Sequence, residues 1–221
     1  MPTRTIDTML SSLSHDGRPL STFKKNSRIV GAGQMSLRRG YSYVLEENPG
    51  SLPPGFDPDL SPGEMLMLGV FEGRYLNDCI REFPADWFIG AISFGSLSPE
   101  SANPECNLFK LKSRQSLTIW RENGWVPSPL VPSPLVPSSN SKKSQSLLAD
   151  PSNPDERGWF QWYCRFWLGR RIPALDDIQI KRWRSFRRHA GAIRANCTRG
   201  SLSCRPRERQ ALLQWAYNPF I

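Results

Sequence analysis

The sequence predicts a mainly α-helical protein, in which a single helical domain with an aromatic-rich core is interrupted by a Pro/Ser-rich insertion. Three observations support this prediction. A helix-start signal lies at residues 61–64, an almost wholly apolar helical segment covers residues 159–168, and a two-sided helical pattern covers residues 175–196. A chain of 221 residues suits one mid-sized domain, while its 20 prolines and 38% hydrophobic content indicate long irregular stretches.

The first 54 residues are predicted to form a largely disordered N-terminal arm. Serine, lysine and arginine are scattered through residues 1–40 without apolar periodicity. The short apolar run at residues 41–45 is compatible with a strand or with an extended segment that packs on the domain. The arm therefore contributes nothing definite to the predicted core.

Residues 55–125 are predicted to form the first half of the helical domain. Ser61 is placed to cap a helix, Pro62 suits its first position, and Glu64 completes a capping box. A second helical piece is expected from Tyr75 to Phe83, where Pro84 ends it. A further helix is expected over residues 116–123, before Gly124.

Residues 126–153 form a Pro/Ser-rich linker that begins with the tandem repeat VPSPLVPSPLVP. Such repeats favour extended conformations and cannot build a core, so we expect a disordered insertion between two structured halves. The alternative is a proline-motif ligand for a partner domain.

Residues 154–221 are predicted to form the second half of the domain. Asp155 is a suitable cap for a helix whose apolar residues cover about two-thirds of its circumference, leaving Gln161 and Arg165 on a polar strip. A last helix is expected from Pro206 to Tyr217. The residues predicted for the core are Trp159, Phe160, Tyr163, Phe166, Trp167, Phe186, Ile193, Leu212 and Trp215.

All of the excess positive charge lies in the last third of the chain. Residues 1–150 contain equal numbers of basic and acidic residues, whereas residues 151–221 contain 14 lysines and arginines against five acidic residues, together with five of the eight tryptophans. Six of these cations fall between residues 178 and 194, where no acidic residue occurs. Like charges this close repel one another unless an anion compensates them, which favours a polyanionic partner.

The cations of the segment from Leu175 to Asn196 define a candidate nucleic-acid-binding face, because a helical wheel places them opposite its apolar residues. We expect them to contact the phosphate backbone of DNA or RNA, mostly independently of sequence. Such a helix could also enter a major groove, where arginine can meet guanine. The predicted contact residues are Lys181, Arg184, Arg187, Arg188 and Arg194.

Three alternatives compete with nucleic-acid binding. Carboxylates of the middle segment (Glu72, Asp78, Glu82 and Asp86) could fold against the basic helix and neutralise it. An enzyme acting on a phosphorylated or nucleic-acid substrate could use these acids together with Tyr75, Cys79 and His189 in a cleft against that helix. A module that binds an acidic protein is the third alternative, so the sequence leaves open whether the protein is an enzyme.

No cofactor or metal is predicted. The chain has no P-loop, GxGxxG or GxSxG motif, and a zinc set of Cys164, His189, Cys197 and Cys204 lacks the paired CxxC-type spacing of structural sites. Five cysteines at irregular spacing, in a chain that shows no signal-peptide pattern, argue against disulfides. We expect an intracellular protein, nuclear or cytoplasmic, that does not bind membranes, since no run of 18 apolar residues occurs.

Overall fold

The computed structural model describes residues 5–31, 41–113, 154–155 and 157–221 of the chain. The prediction of a mainly α-helical fold is confirmed. The described part contains a two-stranded antiparallel sheet and three short 3₁₀ segments, at Leu20–Thr22, Phe71–Gly73 and Pro104–Cys106. Its α-helices are α1 (Ile6–Asp16), α2 (Pro62–Leu68), α3 (Ala85–Ser93), α4 (Trp159–Leu168), α5 (Pro173–Asn196) and α6 (Pro206–Leu213). The predicted linker at 126–153 and helix at 116–123 lie outside the described residues.

The N-terminal region differs from its prediction as a disordered arm, because its described residues join the core. Helix α1 buries Met9 and Leu13, which lie four residues apart on one face. Strand β1 (Arg28–Val30) pairs with β2 (Ser42–Val44) so that Ile29 lies opposite Tyr43, and both side chains are buried. Each of these elements buries only one or two apolar side chains, which is too short a pattern to show as periodicity.

Helix α2 begins where the capping box predicts. The Ser61 hydroxyl accepts a hydrogen bond from the Glu64 backbone N–H, and the Glu64 carboxylate accepts one from the Ser61 backbone N–H at 2.7 Å. Gly63 lets α2 approach α3, because a Cβ atom there would lie 2.6 Å from Cδ1 of Trp87. The sequence does not predict α3, which begins directly after Pro84.

The helix predicted from Tyr75 to Phe83 is wrong. Residues 75–83 form turns, and Leu76 has a left-handed backbone with φ 61°. The backbone of the preceding residues Phe71 and Glu72 is also left-handed. A right-handed helix therefore cannot run through these positions. The turns instead direct the carboxylates of Asp78 and Glu82 towards arginines of the last third of the chain.

Helix α4 is buried on every side except at the half-buried Trp167. Gln161 and Arg165, predicted to form a polar strip, are buried as well. Residue Asp155 does not cap the helix; Gly158, with φ 85°, occupies the N-cap position. Of the residues predicted for the core, Trp167 and Phe186 are half-buried and the others are buried.

Helix α6 ends at Leu213, four residues before the predicted end, and Ala216 follows with φ 58°. A disulfide between Cys197 and Cys204 joins the end of α5 to the loop that precedes α6, so the prediction of free cysteines is wrong at this pair. The buried Arg209 guanidinium holds the same loop by donating to the Cys204 carbonyl at 2.8 Å. No helix within the described ranges is long and apolar enough to cross a membrane.

Candidate functional site

Helix α5 separates its apolar and basic residues onto opposite sides. Its buried side chains include Leu175, Ile178, Trp183, Ala190 and Ile193. The five predicted contact residues are all exposed on an arc of about 140°, and at 1.5 Å per residue they extend over about 20 Å of the helix. This surface, the basic face, consists of Lys181, Arg184, Arg187, Arg188 and Arg194.

The basic face has no ion-pair partner among the described residues, where no carboxylate oxygen comes within 4.0 Å of its charged nitrogens. Arg184 donates to the carbonyl oxygen of Gly55 at 2.8 Å, a contact that orients the guanidinium without neutralising its charge. Arg188 lies 5.9 Å from the centre of the Phe186 ring. The positive charge of the face is therefore directed to solvent.

Two carboxylates act on the same side chains as cations of the basic face, Asp59 on Tyr217 and Glu208 on His189, and both have other partners. Asp59 accepts a hydrogen bond from the Asn218 backbone N–H at 2.7 Å, and Glu208 pairs with Arg205 at 2.9 Å. The pKa of His189 lies below its usual value because burial and the nearby Arg188 charge favour the neutral ring, despite an opposing effect of Glu208. At neutral pH this imidazole does not add to the charge of the face.

The buried arginine cluster, consisting of Glu82, Asp155, Arg165 and Arg170, lies between α4 and the sheet. Arg165 binds Glu82 through two hydrogen bonds, of 2.6 and 3.2 Å, and Asp155 through one of 2.9 Å. Arg170 also donates to Asp155, at 2.8 Å. Two guanidinium groups thus face two carboxylates with almost no access to water.

The electrostatics of this cluster follow from its pairing. Burial alone would raise the pKa of Asp155, but the positive charges of Arg170 and Arg165 outweigh burial and hold that pKa below its ordinary value. Burial and the Glu82 carboxylate together raise the pKa of Tyr43, whose hydroxyl donates to Glu82 at 3.2 Å. The cluster stabilises charges inside the protein and does not expose them to a ligand.

The other carboxylates of the middle segment also bind partners away from the basic face. Asp78 pairs with Arg157 at 2.6 Å, Glu72 accepts from the Ser113 backbone N–H at 3.0 Å, and Asp86 accepts from the Leu20 backbone N–H. The helical acidic face proposed for an enzyme is therefore not formed.

Cys79, one of the residues considered for an enzyme, has surroundings that disfavour a reactive thiolate. Burial raises the pKa of Cys79 far above its usual value, despite the nearby Arg157 charge, so this thiol stays protonated. His189 lies on α5, where its ring centre is 5.4 Å from that of Phe186 and its neighbouring charges are those of Arg188 and Glu208. Among the described residues, Tyr75, Asp78 and Cys79 meet around Arg157, whereas the histidine that would complete a catalytic set has other neighbours.

The cysteines and the histidine considered as zinc ligands are also not grouped together in the described structure. Cys197 and Cys204 are joined in the disulfide, and Cys164 is fully buried in α4. Within the described ranges no group of three or more His, Cys, Asp or Glu residues is placed to hold a metal ion.

Arg182 is the one cation of residues 178–194 that does not belong to the basic face. Its guanidinium lies 5.8 Å from the centre of the Trp215 ring, and burial lowers its pKa to about 10. A helical wheel predicts this separation, because it places Arg182 on the same arc as His189 and Ile193, far from Arg187. The buried arginine cluster has no such local signal, because Glu82 and Arg165 are far apart along the chain.

No family model, curated protein or solved structure matches the chain. Its function is therefore argued from the charge and geometry of its own surface.

Proposed function

We propose that this protein binds nucleic acid through the basic face of α5, mostly independently of base sequence. The observation that supports the proposal is the basic face itself, five exposed cations on one side of α5 with no carboxylate within ion-pair distance among the described residues. Lysines and arginines on such a face can replace the counterions condensed on a phosphate backbone, and the release of those counterions drives association.

The competing explanation, that the protein neutralises this face with its own carboxylates, loses support from the contacts of those carboxylates. Asp78 and Glu82 are occupied by Arg157 and Arg165, and Asp86 binds the backbone near α1. Because a helix that concentrates like charge is destabilised by repulsion, an external polyanion is the simplest compensation for this arrangement.

Salt dependence is the quantitative test of the proposal. If all five cations contact duplex phosphates, the logarithm of the association constant should fall against the logarithm of salt concentration with a slope of about −4 to −5. We would measure fluorescence anisotropy of a labelled 20-base-pair DNA duplex, a matched RNA duplex and a single strand between 50 and 300 mM salt. No detectable association at 50 mM salt with any of the three would refute the proposal.

A charge-matched pair of variants separates the basic face from net charge. Replacing Arg187, Arg188 and Arg194 with alanine should reduce the magnitude of the slope by about 3 and weaken binding by at least about 100-fold near 0.1 M salt. The control replaces three exposed cations outside the basic face, so it loses the same charge and should keep the wild-type slope. Its substitutions are Lys24→Ala, Arg74→Ala and Lys112→Ala.

If both triple variants lose affinity equally, binding depends on net charge and not on α5. Polyglutamate provides the comparison with an acidic protein partner. Binding to polyglutamate as tight as binding to nucleic acid would favour the acidic-partner alternative, because that polymer offers charge without the phosphate spacing.

A further inference from the structure

Gly191 occupies the middle of the basic face, in the interior of an unbroken helix. It is exposed and lies between Arg188 and Arg194. Glycine in a helix interior is less favourable than almost any other residue, because it loses the most backbone freedom on folding. A glycine at this position therefore calls for a reason.

The described part of the fold does not supply that reason. A Cβ atom built on Gly191 would meet nothing within 4 Å, so no neighbouring element within the described ranges requires the space. Its backbone lies within α5 and has no left-handed φ that would favour glycine. Gly63 provides the contrast, because a Cβ atom there would collide with Trp87.

The cations are arranged on both sides of Gly191. On a helix of 3.6 residues per turn, Arg187 and Arg194 lie about 40° and 60° to one side of it, and Arg188 and Lys181 lie about 60° and 80° to the other. The exposed Ala195 lies about 40° from Gly191 and extends the low centre of the face. Beside Gly191 the face therefore has a shallow middle between two rows of long cationic side chains. Arg184, about 20° from Gly191 and about 10 Å before it along the helix, lies at the N-terminal end of this shallow stretch.

We infer that α5 binds in the major groove of duplex DNA, with Gly191 at the point of closest approach. This inference rests on the proposed function and names its partner. A helix about 10–12 Å across fits a B-form major groove about 12 Å wide, and the two rows of cations then reach the phosphates of both walls. On a flat anionic surface, the long arginine side chains would keep the helix backbone away from the surface. A glycine on the helix would then bring no advantage.

The same geometry disfavours duplex RNA as the partner. The major groove of an A-form duplex is deep and narrow, so a helix cannot reach its floor. A single strand has no pair of walls to engage both rows. We therefore expect the 20-base-pair DNA duplex to bind at least about tenfold more tightly than the RNA duplex of the same sequence.

The test adds side-chain volume at Gly191 while improving helix propensity. Gly191→Ala and Gly191→Leu should each raise the melting temperature by about 2–4 °C, because both residues are better helix formers than glycine. In the groove the leucine side chain occupies the space of the DNA, so Gly191→Leu should raise the Kd for the DNA duplex by at least about tenfold. Gly191→Ala should lie between leucine and the wild type.

The matched control is Ser185→Leu, on the same helix and exposed, about 120° away from Gly191. It should leave the Kd for the DNA duplex unchanged. Wild-type affinity in Gly191→Leu, an equal loss in Ser185→Leu, or equal binding of DNA and RNA duplexes would each overturn the groove assignment while the proposed function stands. Failure of the wild-type protein to bind any nucleic acid would instead refute the proposed function.

Discussion

The buried arginine cluster and the basic face are built from the same kind of side chain in the same third of the chain, yet they have opposite surroundings. In the cluster, Arg165 and Arg170 meet Glu82 and Asp155 at hydrogen-bonding distance and are almost inaccessible to water. On the basic face, five cations point to solvent without a carboxylate partner among the described residues. The position of the carboxylates distinguishes a structural arginine from a candidate binding arginine.

This difference changes the meaning of the net charge. The first 150 residues are electrically balanced, but two of their carboxylates, Asp78 and Glu82, are bound by Arg157 and Arg165. Arg209 is also buried and donates to backbone carbonyls. The surplus of +9 therefore does not by itself indicate a binding surface. The exposure of particular cations on α5 does indicate one.

The largest expected effect is the loss of one partner from the buried cluster. Arg165→Ala removes the positive charge between Glu82 and Asp155 and should lower the free energy of unfolding by about 3–5 kcal/mol. Arg187→Ala, an exposed cation without an ion pair, should change it by less than about 0.5 kcal/mol. Urea denaturation of both variants gives the comparison, and similar losses in the two would contradict it.

The cluster should also give stability a specific dependence on pH. The pKa of Asp155 is lower in the folded protein than in the unfolded chain, where it is about 3.9, so the charged carboxylate favours folding. This contribution is complete above the unfolded-state pKa and is lost as pH falls through the folded-state pKa. Urea midpoints measured from pH 6 to pH 3 should therefore fall less steeply below pH 4 in Asp155→Asn than in the wild type. Parallel curves would contradict this assignment.

The elements that the sequence predicts correctly are those specified by neighbouring residues. The capping box of Ser61 and Glu64 starts α2, and the alternation of apolar and basic positions places the exposed face of α5. In both cases the information lies within one or a few helical turns, so the pattern can be read without knowing what the helix contacts.

The errors arise where tertiary contacts, and not local periodicity, decide the outcome. Asp155 has the sequence signal of a helix cap, but the pairing with Arg165 and Arg170 draws it into the interior. The disulfide between Cys197 and Cys204 forms because the loop between α5 and α6 folds back, with Arg209 holding its carbonyls. Neither event leaves a periodic pattern, so a reading based on propensity and spacing misses both.

The smallest expected effect concerns the stability of the basic face itself. Arg188 lies one turn after Arg184, and like charges at this spacing destabilise a helix by about 0.2–0.5 kcal/mol. Alanine also has the better helix propensity, while the contact between Arg188 and the Phe186 ring, at 5.9 Å, adds little in the opposite sense. Arg188→Ala should therefore raise the free energy of unfolding by a few tenths of a kcal/mol at low salt, and the gain should decrease at 1 M salt, where the repulsion is screened. A clear loss of stability at low salt would mean that this arginine serves the fold, whereas a small gain combined with weaker nucleic-acid binding would mean that it is kept at a cost to stability.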